Sequence, residues 1–197
     1  GPVQVFATTN EMLARAGRPA AYAIRVVAAE AAGVTASAGV GLATAALPAA
    51  DEVVDTLVVA GGPVVQAAVA DAALVAWVQA RAGQARRVAS VCTGAWLLAA
   101  CGLLDGRRAV THWAFCTALA RQFPKVRVEA DPIFIRDGAV WSSAGVTAGI
   151  DLALALVEED LGRGVALEVA RHLVMFLKRP GGQAQFSAAL SLQAAED

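Results

Sequence analysis

No apolar run in the 197-residue sequence is long enough to cross a bilayer: the longest, near residues 94–104, falls well short of the roughly 18 residues that a spanning helix needs. No membrane partner is expected. The opening, GPVQVFATTN, has neither a basic n-region nor an apolar h-region, so it does not read as a signal peptide, and a cytoplasmic location is the expectation. Cysteine is scarce. Cys92, Cys101 and Cys116 form no C-x-x-C motif and, being three, cannot all be bridged, which suits a reducing compartment and argues against zinc. An excess of one charge is lacking too: 16 Lys and Arg stand against 17 Asp and Glu, for a net charge of −1. That balance leaves no electrostatic footprint for nucleic acid within this chain. No phosphate loop, metal-ligand cluster, internal repeat or low-complexity block stands out, so neither a metal nor a cofactor is expected.

What is present is an Ala-, Val- and Leu-rich chain, 57% hydrophobic with a mean hydropathy of +0.56, of a length that fits one domain with a substantial core. Strand-like and helix-like segments alternate, as in a parallel sheet covered by helices. AYAIRVVAA (21–29), TLVVA (56–60), RRVASV (86–91) and RRAVTHW (107–113) read as strands. Residues 63–83 read as one helix ended by Gly83, TGAWLLAACGLLDG as a short helix closed by glycine, and WAFCTALARQFP as helical up to Pro124. Two alternating runs joined by Asp137-Gly138 predict a hairpin. Two helices follow, one with Thr147 as N-cap and Gly162 past its end, the other stopping at Pro180. The fold class expected is α/β: a three-layer, flavodoxin-like sandwich with a mostly parallel sheet, a nucleophile elbow and a small β-hairpin. The domain is expected to span 1–180, with 181–197 as a linker.

The elbow is read at VASVCTGAWLL, where a strand ends in Cys92 and turns at once into a helix. Such a turn demands small residues two before and two after the nucleophile, here Ser90 and Gly94. It exposes the thiol at the carboxyl edge of the sheet, where backbone N–H groups of the turn can hold an anion. Gly61-Gly62, ending another strand, can supply a further N–H. The alternative is a buried free cysteine, the reading preferred for Cys101 and Cys116. A base is needed next, and the sequence has two histidines. His112 ends the strand after the elbow helix and is either a base for Cys92 or a structural imidazole bonded to loop backbone. His172 lies one turn from Glu168 and reads as solvated or at an interface.

These residues carry a resemblance. GGPVVQ, SVCTGAWLLAACGLLDGRRAVTHW and DGAVWSSAGVTAGIDLALALVEEDLG together resemble the PfpI/ThiJ-like branch of the class I glutamine amidotransferase superfamily, across almost the whole chain. RHLVMFLKRPGGQAQFS is similar to the end of the amidotransferase-like N-terminal domain of AraC-family transcriptional regulators, where it leads into a helix-turn-helix domain. The resemblance implies an elbow cysteine at Cys92 and a nearby histidine at His112. Three family features are absent: WSSAGVTAG stands where glutaminases carry His-x-Glu, Thr93 stands where PfpI-type peptidases have histidine, and Gly1-Pro2 opens inside the family's LD-x-x-GP motif. Peptidase and glutaminase activities are therefore not expected, and the first strand with its acidic residue is expected to lie outside this sequence.

Two functional readings follow. In the first, the chain is the ligand-sensing, dimerising domain of an AraC-family regulator. Its pocket of Gly61, Gly62, Cys92, Thr93 and His112 then either binds a small-molecule effector or is vestigial, and DNA is contacted only by a C-terminal domain outside this chain. In the second, it is a cysteine-dependent enzyme similar to isonitrile hydratases, with Cys92 as nucleophile and Thr93 helping to position substrate. A blander third reading makes Cys92 a redox-sensitive thiol. Trp77, Trp96, Trp113 and Trp141 read as core or interface residues, with Trp113 placed to wall the pocket. Asp151 reads as a helix-dipole partner, and Glu158, Glu159 and Asp160 as a solvated face.

Overall fold

Side chains on successive strand residues point to opposite faces, and the central sheet uses this alternation to hold two cores apart. A computed structural model describes residues 1–29, 33–49, 51–177, 179, 182 and 183. Its elements run α1 (Pro2–Arg15), β1 (Val27–Ala28), β2 (Val34–Thr35), β3 (Gly41–Leu42), β4 (Ala45–Ala46), β5 (Thr56–Val59), α2 (Val65–Ala70), α3 (Ala72–Ala82), β6 (Arg87–Val91), α4 (Gly94–Ala100), β7 (Arg108–Ala109), α5 (Cys116–Gln122), β8 (Arg127–Val128), β9 (Phe134–Asp137), β10 (Val140–Ser143), α6 (Ala148–Leu161) and α7 (Arg163–His172). The main sheet has the order β5-β6-β10-β9, parallel except for the β9–β10 hairpin. Leu57, Val88 and Val140 face a core shared with Trp96, Leu98 and Leu119. Ala89 and Trp141 face the other core, with Val5, Leu152, Leu156 and Val169 from α1, α6 and α7. The expected α/β sandwich is thus formed.

Several elements depart from the sequence reading. The run 21–29 pairs only at Val27–Ala28, parallel to Ala45–Ala46. Its start is diverted by Asn10, whose Oδ1 accepts from the N–H groups of Ala21 and Tyr22 and whose Nδ2 donates to the Tyr22 carbonyl, leaving those groups unavailable to a ladder. Helix 63–83 is two helices, because Asp71 takes an extended conformation and its carboxylate caps α3 by accepting from Ala73 N and Leu74 N. The run 107–113 pairs as a strand only over β7, against β8. Arg108 N and Val110 N donate instead to the side chains of Asp137 and Ser142. The Asp137-Gly138 hairpin forms, with Gly138 at φ 64°, and its second strand is built into the main sheet beside β6.

The last helix stops at His172 rather than at Pro180, which lies outside the described residues. Val174 takes φ 54°, Met175 N donates to Ala170 O and Val174 N to Arg171 O, the pattern of a Schellman stop with valine in glycine's place. The sequence reading also leaves α1 unassigned, although Pro2 at its first turn and Val5, Phe6, Thr9 and Leu13 on one buried face mark an amphipathic helix. Glu159 and Asp160 are not merely a solvated face. Arg87, 2% exposed, is ion-paired to both, Arg86 to Asp160, and Arg136 to Glu159. Tyr22 donates its hydroxyl proton to Asp160, closing this network at the amino end of β6. Of the tail assigned to 181–197, only Gly182 and Gln183 are described, and both are docked against the domain.

Candidate functional site

The opposite end of β6 carries Cys92. Its φ of 55° puts a non-glycine residue in the left-handed region, the strain expected of a nucleophile on a strand-to-helix elbow. Cys92 N donates to the carbonyls of Ser143 and Ala144 at 3.0 Å each, which ties the elbow to the end of β10. Cys92 is half-buried, whereas Cys101 and Cys116 are buried, as expected of structural cysteines. Burial pushes the Cys101 thiol up to about 11 and raises that of Cys116 as well, so both are held as neutral thiols.

Glycines at Gly61 and Gly94 let the loop after β5 close on the elbow. A Cβ at Gly94 would lie 2.4 Å from the Val59 carbonyl oxygen, and one at Gly61 would lie 2.7 Å from both Thr93 N and Val91 O. Thr93 then locks the two loops together. Its hydroxyl accepts from Gly62 N (2.9 Å) and donates to Gly62 O (3.0 Å). Of the two N–H groups of Gly61-Gly62, that of Gly62 is therefore committed to Thr93.

His112 opens at the same edge of the sheet. Its Nδ1 accepts from Ala114 N at 3.3 Å, capping the turn at 113–115, and that bond assigns the proton of the neutral ring to Nε2. The ring packs against Gly145, where a Cβ would lie 2.8 Å from Cδ2, and against Trp113 and Phe115, whose ring centroids are 5.4 and 5.8 Å away. Among the described residues no hydrogen bond joins His112 to the Cys92 sulfur. Trp113, 56% exposed, lies against His112, while Trp96 and Trp141 are core residues and Trp77 donates to Pro48 O. His172 is exposed at the end of α7, away from this cluster in the chain's order of elements.

Three features escape the sequence reading. Thr111, fully buried, donates its hydroxyl proton to the Cys92 carbonyl at 2.8 Å. Gln183 accepts from Trp113 N at 2.8 Å and donates to the carbonyls of Thr111, Ala130 and Pro132. Asp151, read as a dipole partner, is buried and forms a two-pronged ion pair with Arg179. No local periodicity signals such contacts, because each joins segments far apart in sequence. Among the described residues no group of His, Cys, Asp or Glu could hold a metal ion, and no helix is long and apolar enough to cross a membrane.

With the site in view, its relatives become informative. The chain is 40% identical over 124 residues to the isonitrile hydratase of Pseudomonas putida, a match covering 61% of this chain and 52% of that enzyme. It is 36% identical over 121 residues to the HTH-type transcriptional regulator GbdR of Pseudomonas aeruginosa, covering 61% of this chain and 32% of the regulator. The chain therefore corresponds to about half of the first protein and a third of the second. A crystal structure of a THiJ/PfpI family protein from Pseudomonas syringae superposes with a TM-score of 0.73 at 29% identity, over 98% of this chain and 81% of that one. Residues 2–159 match the DJ-1/PfpI family, and with its elbow cysteine, parallel sheet and flanking helices the chain belongs to that family.

Proposed function

We propose that this chain is the ligand-sensing and dimerising domain of an AraC-type transcriptional regulator that works in the cytoplasm, binds a small-molecule effector at the elbow pocket and contacts DNA through a domain beyond residue 197. The observation that carries the reading is the match to an HTH-type regulator over only 32% of that regulator's length, which leaves the regulator a further region of its own. The pocket's chemistry supports binding over turnover. Gly62 N is occupied by Thr93, and His112 Nδ1 is occupied by loop backbone. The near-neutral charge of the chain agrees with a domain that does not itself hold DNA.

The test is the intact mass of the protein made by its native host, followed by a thermal-shift screen of small metabolites and gel filtration. A mass exceeding 20.0 kDa by one domain of about 100 residues, a dimer, and a metabolite that raises the melting temperature are expected. A native product that ends near residue 197 would overturn the reading.

The second reading, a cysteine-dependent hydratase, is favoured by the 40% identity to isonitrile hydratase and by the strained, half-buried Cys92. Isonitrile turnover by the wild type that disappears in Cys92→Ala would establish it. Undiminished turnover in that variant would remove Cys92 from the mechanism.

A further inference from the structure

The segment carrying Arg179, Gly182 and Gln183 follows a strained exit from α7 and is fastened at two places beside the elbow pocket. At one, Arg179 Nε donates to Asp151 Oδ1 at 3.0 Å, and its Nη2 pairs with Oδ2, in the first turn of α6 just after the Gly145 loop that packs on His112. At the other, Gln183 uses its whole side-chain amide: Oε1 accepts from Trp113 N, and Nε2 donates to Thr111 O, Ala130 O and Pro132 O. Its backbone N–H adds a bond to Asp131 O at 2.6 Å. Gly182 lies against the exposed Asp131 side chain, whose carboxylate would have to turn aside for a Cβ at this position.

The position of Gln183 gives these contacts a consequence. The peptide groups on either side of His112 are bonded to one glutamine, and Thr111, whose carbonyl Gln183 holds, also donates its hydroxyl to the Cys92 carbonyl. A buried amide with both ends bonded is costly to leave half-satisfied, so a shift of residues 111–113 weakens several bonds of Gln183 together. We propose that Arg179 and Gln183 form a strap that reports occupancy of the Cys92 pocket to the chain beyond Gln183, with Gln183 as the positioning residue that couples them. This rests on the sensing reading above and adds its output route. A molecule that displaces His112 or the elbow carbonyl loosens the strap, and, by reciprocity of linked equilibria, loosening the strap alters the pocket.

The probe is iodoacetamide, which places a carboxamidomethyl group on the half-buried Cys92 while the buried Cys101 and Cys116 remain thiols. Hydrogen exchange of the 197-residue protein is followed by mass spectrometry before and after alkylation. Faster exchange at Trp113 and Gln183 after alkylation, by about 5-fold or more, with the Arg87–Asp160 end unchanged, is the expected result. In the reverse direction, Gln183→Ala, which removes the whole amide, and Gln183→Glu, which keeps an acceptor for Trp113 N but loses the donor to Thr111 O, Ala130 O and Pro132 O, are both expected to change the Cys92 alkylation rate severalfold and in the same direction. Unchanged exchange after alkylation, or variants that free the Trp113 amide yet leave the alkylation rate alone, would overturn the proposal. A coupled strap in a protein that binds no metabolite would refute the sensing reading and leave the coupling standing. An effector with no coupling would do the reverse.

Discussion

Gly94→Ala is the substitution most directly priced by the geometry of the elbow. The new methyl would lie 2.4 Å from Val59 O and 3.1 Å from both Ala60 C and Ala60 O, all backbone atoms, where no side chain can swing aside. Overpacking of this kind costs about 1–3 kcal/mol, and a backbone obstacle places it near the upper end. Gly94 is the first residue of α4, so alanine recovers up to about 1 kcal/mol of helix propensity. The balance is a loss of about 2 kcal/mol, which for a domain of this size lowers Tm by about 4–8 °C. Gly62→Ala is the control, because a Cβ there meets nothing within 4 Å and its φ is not positive. Thermal unfolding followed by circular dichroism measures both variants. An unchanged Tm for Gly94→Ala, or an equal loss for Gly62→Ala, would refute the argument that the loop after β5 must close on the elbow.

Three other outcomes are expected. Val174→Gly relieves a β-branched residue at φ 54° that is 91% exposed, so strain relief exceeds the entropy cost of glycine and Tm rises by a few degrees; a fall would show that Val174 packs in the folded state. Iodoacetamide at mildly alkaline pH labels Cys92 alone in the native protein and all three cysteines in guanidinium, as read by peptide mass; comparable native labelling of Cys101, whose thiol is pushed up to about 11 by burial, would contradict its placement. Tyr22 is raised above its ordinary 10.0 by burial first and then by the charge and hydrogen bond of Asp160. Its contribution to stability is therefore fully present below pH 10.0 and lost as the pH rises from there through the folded value. Because the sequence has one tyrosine, phenolate absorbance follows it directly, and a midpoint at the ordinary value would dispose of the Tyr22–Asp160 contact.

Much of this architecture is legible in the residues. β5, β6, the elbow and the Asp137-Gly138 hairpin are written in local patterns, apolar alternation ended by small residues, and each forms where those patterns lie. The segments 21–29 and 107–113 have strand-like composition but give up backbone hydrogen bonds to Asn10, Asp137 and Ser142, side chains that are distant in sequence. The same holds at the pocket. Cys92 and Thr93 announce themselves by spacing, whereas the Thr93–Gly62 lock, the Thr111–Cys92 bond and the fourfold engagement of Gln183 exist only once separate segments meet. Asp151 is instructive because its helix position is compatible with a dipole role, and its burial against Arg179 is not visible in any pattern of neighbours.

The ion pairs of Arg87 bear on how the chain folds. β6 can find its partners only across long loops, with Arg87 opposite Thr56 and Val88 opposite Val140. A slip of one residue would turn Val88 and Ala89 each towards the opposite core. It would also drag the Arg87 guanidinium away from Glu159 and Asp160, stranding a charge where water cannot reach it. The observed register is the one in which the buried guanidinium of Arg87 meets both carboxylates. The ion pairs at one end of β6 thus help to hold the register that delivers Cys92 to its place at the other.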